Sequence, residues 1–216
     1  MLKNLFKTLA YLSIVASYII INYLSSAFLY SKYQIIAVII EVGYFLFLVF
    51  ILRKVFIKDF KKFKADADNY LSLALRYWMV GVLLMAFSNL AIEWLLPKIE
   101  TVNEDAVRSL IDISPVIMFL SVSLLAPLIE ETVFRGIFRK IFKTNWLFLV
   151  MSTLMFSAMH VINGFYNWTD LTLIIPYAFM GGVLSWSYLK HNNIYIPIII
   201  HFIHNIISFG LYIFLK

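Results

Sequence analysis

The sequence contains no cysteine. It can form no disulfide, no thiolate metal centre and no cysteine nucleophile, so any catalysis must use carboxylate, imidazole or hydroxyl groups, or a metal held by nitrogen and oxygen. Charge is scarce too. Only 14% of the 216 residues are Asp, Glu, Lys or Arg, 62% are hydrophobic, and the mean hydropathy is +0.88. Soluble domains are nearer half apolar and a quarter charged, so this composition exceeds what a soluble core can hide and points to an all-α polytopic integral membrane protein. No nucleic-acid motif accompanies the net charge of +6; the basic residues fall between apolar runs, where they meet anionic lipid. There is no Gly-x-Ser-x-Gly elbow for a serine nucleophile and no Asp mid-span for a catalytic aspartyl pair. Neither an internal repeat nor a low-complexity tract is evident.

Long apolar runs fill most of what remains. Lys3 and Lys7 precede one from Leu9 to Leu29, too long for a signal-peptide core and without a small-x-small cleavage site, which reads as a retained anchor. Others cover Ile35 to Leu52, Leu71 to Leu96, Ile113 to Phe138, Trp146 to Val161, Leu171 to Leu189 and Ile194 to Leu215. This predicts about seven transmembrane helices, the fifth short. With the N-terminus in the cytoplasm, 14 Lys and Arg fall inside; Lys32, Lys98, Arg108 and Lys216 fall outside. The loop from Lys98 to Asp112 also carries Glu100, Glu104 and Asp105, so the positive-inside rule gives N-in and C-out in a multi-pass cell-membrane protein. The polar stretch Asp59 to Asn69 reads as a solvated loop. It divides an accessory helix pair, 1–64, from a membrane-embedded core, 65–216. The 20 Phe and 13 Tyr read as lipid contacts and interfacial belts.

Against this apolar background, Pro127-Leu-Ile-Glu130-Glu131-Thr-Val-Phe-Arg135-Gly136 places two carboxylates and a guanidinium inside a span. An ionised group at mid-membrane costs about +2.5 to +3.5 kcal/mol, so such residues mark sites or pairs. Glu131 and Arg135 stand i,i+4 in the better orientation for a helical ion pair, whereas Glu130 points about 100° away and is left without that cation, available for proton transfer. Three of the four histidines also lie inside runs. His160 ends Phe156-Ser-Ala-Met-His160, while His201, His204, Asn205 and Ser208 share one helical face that must look into the bundle. His191, in a turn beside Lys190 and Asn192, reads as solvated. The fourth and fifth spans form a hairpin turning near Lys143 to Trp146. Glu130 and His160 each lie about 15 residues from its middle, roughly 22 Å along either arm, and so come out level. His201, about eight residues beyond the Asn192-Asn193 turn, is nominally lower at roughly 12 Å. Pro127 and Pro197 can kink their helices and widen a water-filled cavity.

Glu-Glu-x-x-x-Arg, then Phe-x-x-x-His, then His-x-x-x-Asn, in this order on successive helices, resembles the CAAX protease and bacteriocin-processing family, also called Abi, over roughly residues 113–214. The resemblance implies an intramembrane endopeptidase acting on a membrane-associated peptide or protein. It further implies that Glu130 and His160 activate a water, that His201 and Asn205 stabilise the oxyanion, and that Glu131 with Arg135 braces the helix. His204 lies outside the pattern. Family members are usually described as metalloproteases. Glu130, His160 and His201 are candidate zinc ligands, yet there is no His-Glu-x-x-His, and the same set supports a metal-free glutamate mechanism. The bacterial branch is linked to bacteriocin maturation and self-immunity, so a non-catalytic immunity or scaffold protein is the rival from another class. A proton-relay transporter is disfavoured by the absence of paired broken-helix repeats. The charge distribution predicts that reporters fused after Lys62 or Lys140 read cytoplasmic and one after Glu104 reads extracytoplasmic; the reverse at any of these sites refutes the topology.

Overall fold

A computed structural model describes residues 2–96, 102–162 and 168–215, without the side chains of residues 3, 4 and 102–104. Lys98, Glu100 and Lys216, and the side chains of Lys3 and Glu104, therefore lie outside the described residues. Among those described, every regular element is helical: α1 (Leu2–Leu29), α2 (Gln34–Ala65), α3 (Ala67–Leu95), α4 (Val102–Ile113), α5 (Pro115–Ile141), α6 (Asn145–Val161), α7 (Ile174–His191) and α8 (Tyr195–Leu215). Six are long and apolar enough to cross a membrane, and α6, with 17 residues, is a shorter apolar helix. Their outward faces are apolar, as at Leu83, Phe87 and Trp94 of α3, which suits contact with lipid tails. This is a multi-pass membrane protein.

Two stretches differ from the sequence reading. The segment from Asp59 to Asn69 is helical on both sides of a single linking residue, Asp66. Its lysines are exposed but Asp59 is buried, because Asp59 continues the inward face of Leu52 and Phe56 at helical spacing. The loop expected between Lys98 and Asp112 contains α4. Leu110 and Ile111 of that helix are buried with Leu29, Ala37 and Met118, and Val107 packs against the same cluster; the i, i+3, i+4 spacing of Val107, Leu110 and Ile111 gives α4 its apolar face.

One apolar core joins all the helices that position the charged residues. Tyr18 of α1, with Tyr44, Leu48, Leu52 and Phe56 of α2, belongs to the same cluster as Val133, Phe134 and Ile137 of α5, Phe148 and Phe156 of α6, Leu184 of α7, and Ile196 and Ile200 of α8. Gly136 allows the closest approach. A Cβ there would lie 2.5 Å from Leu52 Cδ1, and Leu52 is where α2 leaves helical geometry.

The α7–α8 turn is the second anchor. Asn192 sits in the left-handed conformation (φ 47°) that ends α7, a conformation Asn tolerates better than most residues. The next two residues are buried: the Ile194 amide donates to Asp59 Oδ2 at 3.0 Å, and Asn193 Nδ2 donates to the Asp59 carbonyl at 3.0 Å. His191, expected to be solvated, lies 3.2 Å from the Tyr77 hydroxyl through Nε2, because α3 packs alongside α7. These contacts bring the basic α2–α3 connection and the α7–α8 turn to one end of the bundle. Asp59→Ala is expected to leave the buried Ile194 amide unpaired, costing about 1–3 kcal/mol. A lowered thermal midpoint in detergent checks this, and an unchanged midpoint refutes the anchoring role.

Candidate active site

Helix α5 carries the charged motif and is not uniformly α-helical. Two π-helical stretches, Phe119–Leu125 and Thr132–Ile137, flank the α-helical residues Ala126–Glu131, a form of irregularity that often accompanies functional sites. Proline accounts for part of the first. Pro127 has no N–H to give, and its ring would press on the carbonyl four residues back, so a widened turn upstream relieves it. The Ala126 amide accordingly donates to Ser121, five residues back. The Val122 carbonyl thereby loses its α-helical donor, Ala126, and its π-helical donor would be Pro127, which has none. Asn205 Nδ2 of α8 takes its place, donating to the Val122 carbonyl at 2.9 Å.

One turn further on, Glu131 and Arg135 are both fully buried. Arg135 Nη1 donates to Glu131 Oε1 at 3.1 Å, its Nε lies 3.1 Å from Glu131 Oε2, and its Nη2 donates to the Gly181 carbonyl of α7 at 3.0 Å. The Phe156 ring of α6 covers the guanidinium at 4.7 Å. Gly181 permits that closeness, since a Cβ there would meet the Phe156 ring at 2.9 Å. His201 of α8 completes the cluster, with Nδ1 2.8 Å from Glu131 Oε1. A carboxylate that accepts from Arg135 fixes Nδ1 of His201 as the protonated nitrogen and leaves Nε2 for another partner.

Glu130 faces elsewhere. Its Oε2 lies 3.9 Å from His160 Nε2, both side chains being largely buried. His160 Nδ1 is 2.8 Å from the Phe156 carbonyl, which can only accept, so the proton sits on Nδ1 and Nε2 carries a lone pair toward Glu130. The ring is stacked on Tyr177 at 4.7 Å and lies 4.5 Å from Phe156. The level placement expected of Glu130 and His160 is therefore met at contact distance. His201, nominally lower by residue count, nevertheless reaches Glu131, the neighbour of Glu130, at 2.8 Å.

Glu130, His160 and His201, the three candidate zinc ligands, do not all line one cavity. A cavity of about 570 Å³ is lined by His160, His201, His204, Asn205 and Ser208, the polar stripe of α8 among them. Glu130 instead lines a smaller cavity of about 40 Å³. Neighbours on α5 point about 100° apart, so Glu131 meets His201 while Glu130 meets His160. For the same reason the three candidate zinc ligands do not form a set: among the described residues no group of three His, Asp or Glu side chains is arranged to hold a metal, and His201 Nδ1 is committed to Glu131. Sequence reasoning also missed Glu41, a carboxylate in α2 whose Oε1 accepts from Ser25 at 2.5 Å and from Ser121 at 2.8 Å. It is an acidic residue inside the apolar run Ile35 to Leu52, the same signal that singled out Glu130.

Fold and site together define a polytopic helical membrane protein with a buried Glu-Arg-His centre and a second Glu-His pair beside an internal cavity. Residues 112–207 match the family described as Type II CAAX prenyl endopeptidase Rce1-like, and over this segment the chain is similar to that family. The chain is 34% identical over 115 residues to the UPF0177 protein YvdC of Lactococcus lactis, covering 52% of this chain and 41% of that protein. It is 29% identical over 109 residues to the "Putative membrane peptidase YdiL" of Bacillus subtilis, covering 49% and 41%. The match thus spans about two-fifths of the length of these bacterial relatives. No solved structure matches.

Glu131→Gln is expected to strip Arg135 of its ion-pair partner and leave a buried cation, costing about 3–5 kcal/mol. Membrane accumulation and thermal midpoint should both fall. Wild-type values for both would mean that the pair does not hold α5.

Proposed function

We propose that the protein is an intramembrane endopeptidase that hydrolyses a peptide bond of a membrane-associated peptide or protein, using a water activated by Glu130 and His160. The observation that carries this reading is the 3.9 Å separation of Glu130 Oε2 and His160 Nε2, too long for a direct hydrogen bond and short enough for one water to touch both side chains. Glu130 takes a proton as the water oxygen attacks the scissile carbonyl carbon, and then passes that proton to the departing nitrogen. His160, with Nδ1 bound to the Phe156 carbonyl, presents Nε2 to orient the water. His201 is the oxyanion donor: paired with Glu131 through Nδ1, its ring in the protonated form offers an Nε2 hydrogen to the cavity side. Asn205 has a second Nδ2 hydrogen beyond the one bound to Val122. The scissile bond lies in the 570 Å³ cavity, whose apolar wall includes Met85, Val107 and Leu215 and suits an apolar substrate segment. In this reading the N-terminus is cytoplasmic, supported by the gathering of the basic α2–α3 connection and the α7–α8 turn at one end of the bundle.

The residues do not fit a zinc set in this arrangement, and the steps above use the chain's own side chains. Hydrolysis is expected to persist after chelator treatment; loss of activity restored by added zinc would instead make Glu130 and His160 ligands.

A non-catalytic immunity or scaffold role is favoured by one specific observation: Asn205 and His201 both spend a donor on tying α8 to α5. Glu130→Gln separates the two readings. It preserves size and removes a buried charge, so accumulation should match wild type, while hydrolysis of a membrane-anchored peptide by the purified protein should fall by roughly 10²- to 10⁴-fold. Full cellular function of Glu130→Gln at normal abundance would make the scaffold reading the correct one.

A further inference from the structure

Glu130 lines a pocket of about 40 Å³ whose other walls are Tyr18 and Asn22 of α1, Ser25 and Glu41 of the α1–α2 pair, and Ala126 and Ile129 of α5. Its polar groups are incompletely satisfied. Glu41 Oε2 and Glu130 Oε2 are buried without a hydrogen-bond partner. Tyr18 is 4% exposed, its ring fixed edge-on against Phe134 at 5.4 Å, and its hydroxyl makes no hydrogen bond with a described residue. Buried polar groups are almost always paired, with protein or with ordered water.

We propose that this pocket is a water-binding site and that Tyr18 and Glu41 are positioning residues for Glu130. The complementarity is stoichiometric: a water has two hydrogens to donate, one to each carboxylate, and a lone pair to accept the Tyr18 hydroxyl hydrogen. The volume admits at least one water and no drug-sized ligand. Glu41 is held for this task, since Ser25 of α1 and Ser121 of α5 both donate to its other oxygen. The bridge holds Glu130 Oε2, the oxygen that lies 3.9 Å from His160 Nε2, so that the carboxylate keeps its orientation toward His160. The helices that precede residue 112, where the family match begins, thereby contribute to the site.

This inference rests on the proposed hydrolysis for its kinetic test, and a structural arm reads it independently. Purified full-length wild type, Tyr18→Phe, Glu41→Leu and Glu41→Gln are assayed on a membrane-anchored peptide. Tyr18→Phe and Glu41→Leu are expected to lower kcat by roughly 10- to 100-fold, the scale of a misplaced catalytic group, with KM within about twofold of wild type. Glu41→Gln should restore most of the loss, because its amide still accepts from the two serines and still bonds the water. Should Glu41→Leu fail to accumulate, Tyr18→Phe decides, since it removes one oxygen and leaves the packing intact. Wild-type kcat for Tyr18→Phe overturns the inference, as does a kcat for Glu41→Gln no better than that of Glu41→Leu. In the structural arm, an experimental map resolving ordered water should show density within hydrogen-bond reach of both carboxylates in wild type, lost in Tyr18→Phe. If the wild type hydrolyses nothing but this density is found, the water site stands and the hydrolytic reading falls; a dry pocket overturns the water site whatever the activity.

Discussion

A guanidinium with no exposed surface must be neutralised and hydrogen-bonded from within the protein, and in this bundle that requirement falls on Arg135. Its charge is met by Glu131 at 3.1 Å, one edge by the Gly181 carbonyl and one face by Phe156. Those partners come from α5, α7 and α6, and Glu131 reaches α8 through His201. Four helices are thus held by one ion. Removing water from such a group is costly, and breaking one partnership leaves the others exposed to the full desolvation penalty. The network therefore specifies helix positions more sharply than apolar packing could, because lipid tails compete on equal terms with apolar side chains.

The consequence for chemistry is a division of labour between adjacent residues. Glu131 is consumed by structure; Glu130, turned about 100° away on the same helix, is spared for another role. Phe156 links the two halves. Its ring lies over Arg135 and edge-on to His201 at 5.6 Å, and its carbonyl sets the tautomer of His160. Proline adds a second constraint. By denying Val122 a backbone donor, Pro127 creates a place for Asn205, so an apparent helix defect becomes a docking point for α8.

The first two helices belong to the same physical object. Leu52 closes on Gly136, Asp59 holds the turn that begins α8, and Glu41 bonds α5 through Ser121. Residues 1–64 share a core with the rest, even though the family match begins at residue 112.

The linear sequence by itself determined the helical, membrane-spanning character, because length and hydropathy of apolar runs are local properties and the cost of backbone exposure in lipid leaves few alternatives to helices. It also determined which ionisable residues stand out: carboxylates and imidazoles in apolar runs are conspicuous one at a time, and i,i+4 spacing alone pairs Glu131 with Arg135. What it could not supply was any relation that depends on how one helix is rotated and raised against another. The partnership of His201 with Glu131, the Glu130 and His160 contact, the burial of Asp59 and the approach of Glu41 to Ser121 join residues distant in the chain. Each depends on rotations of a few tens of degrees and offsets of one helical turn, and these are set by packing around Gly136, Gly181 and Pro127. Only the tertiary structure decided them, since the energy that selects them appears only once the helices touch.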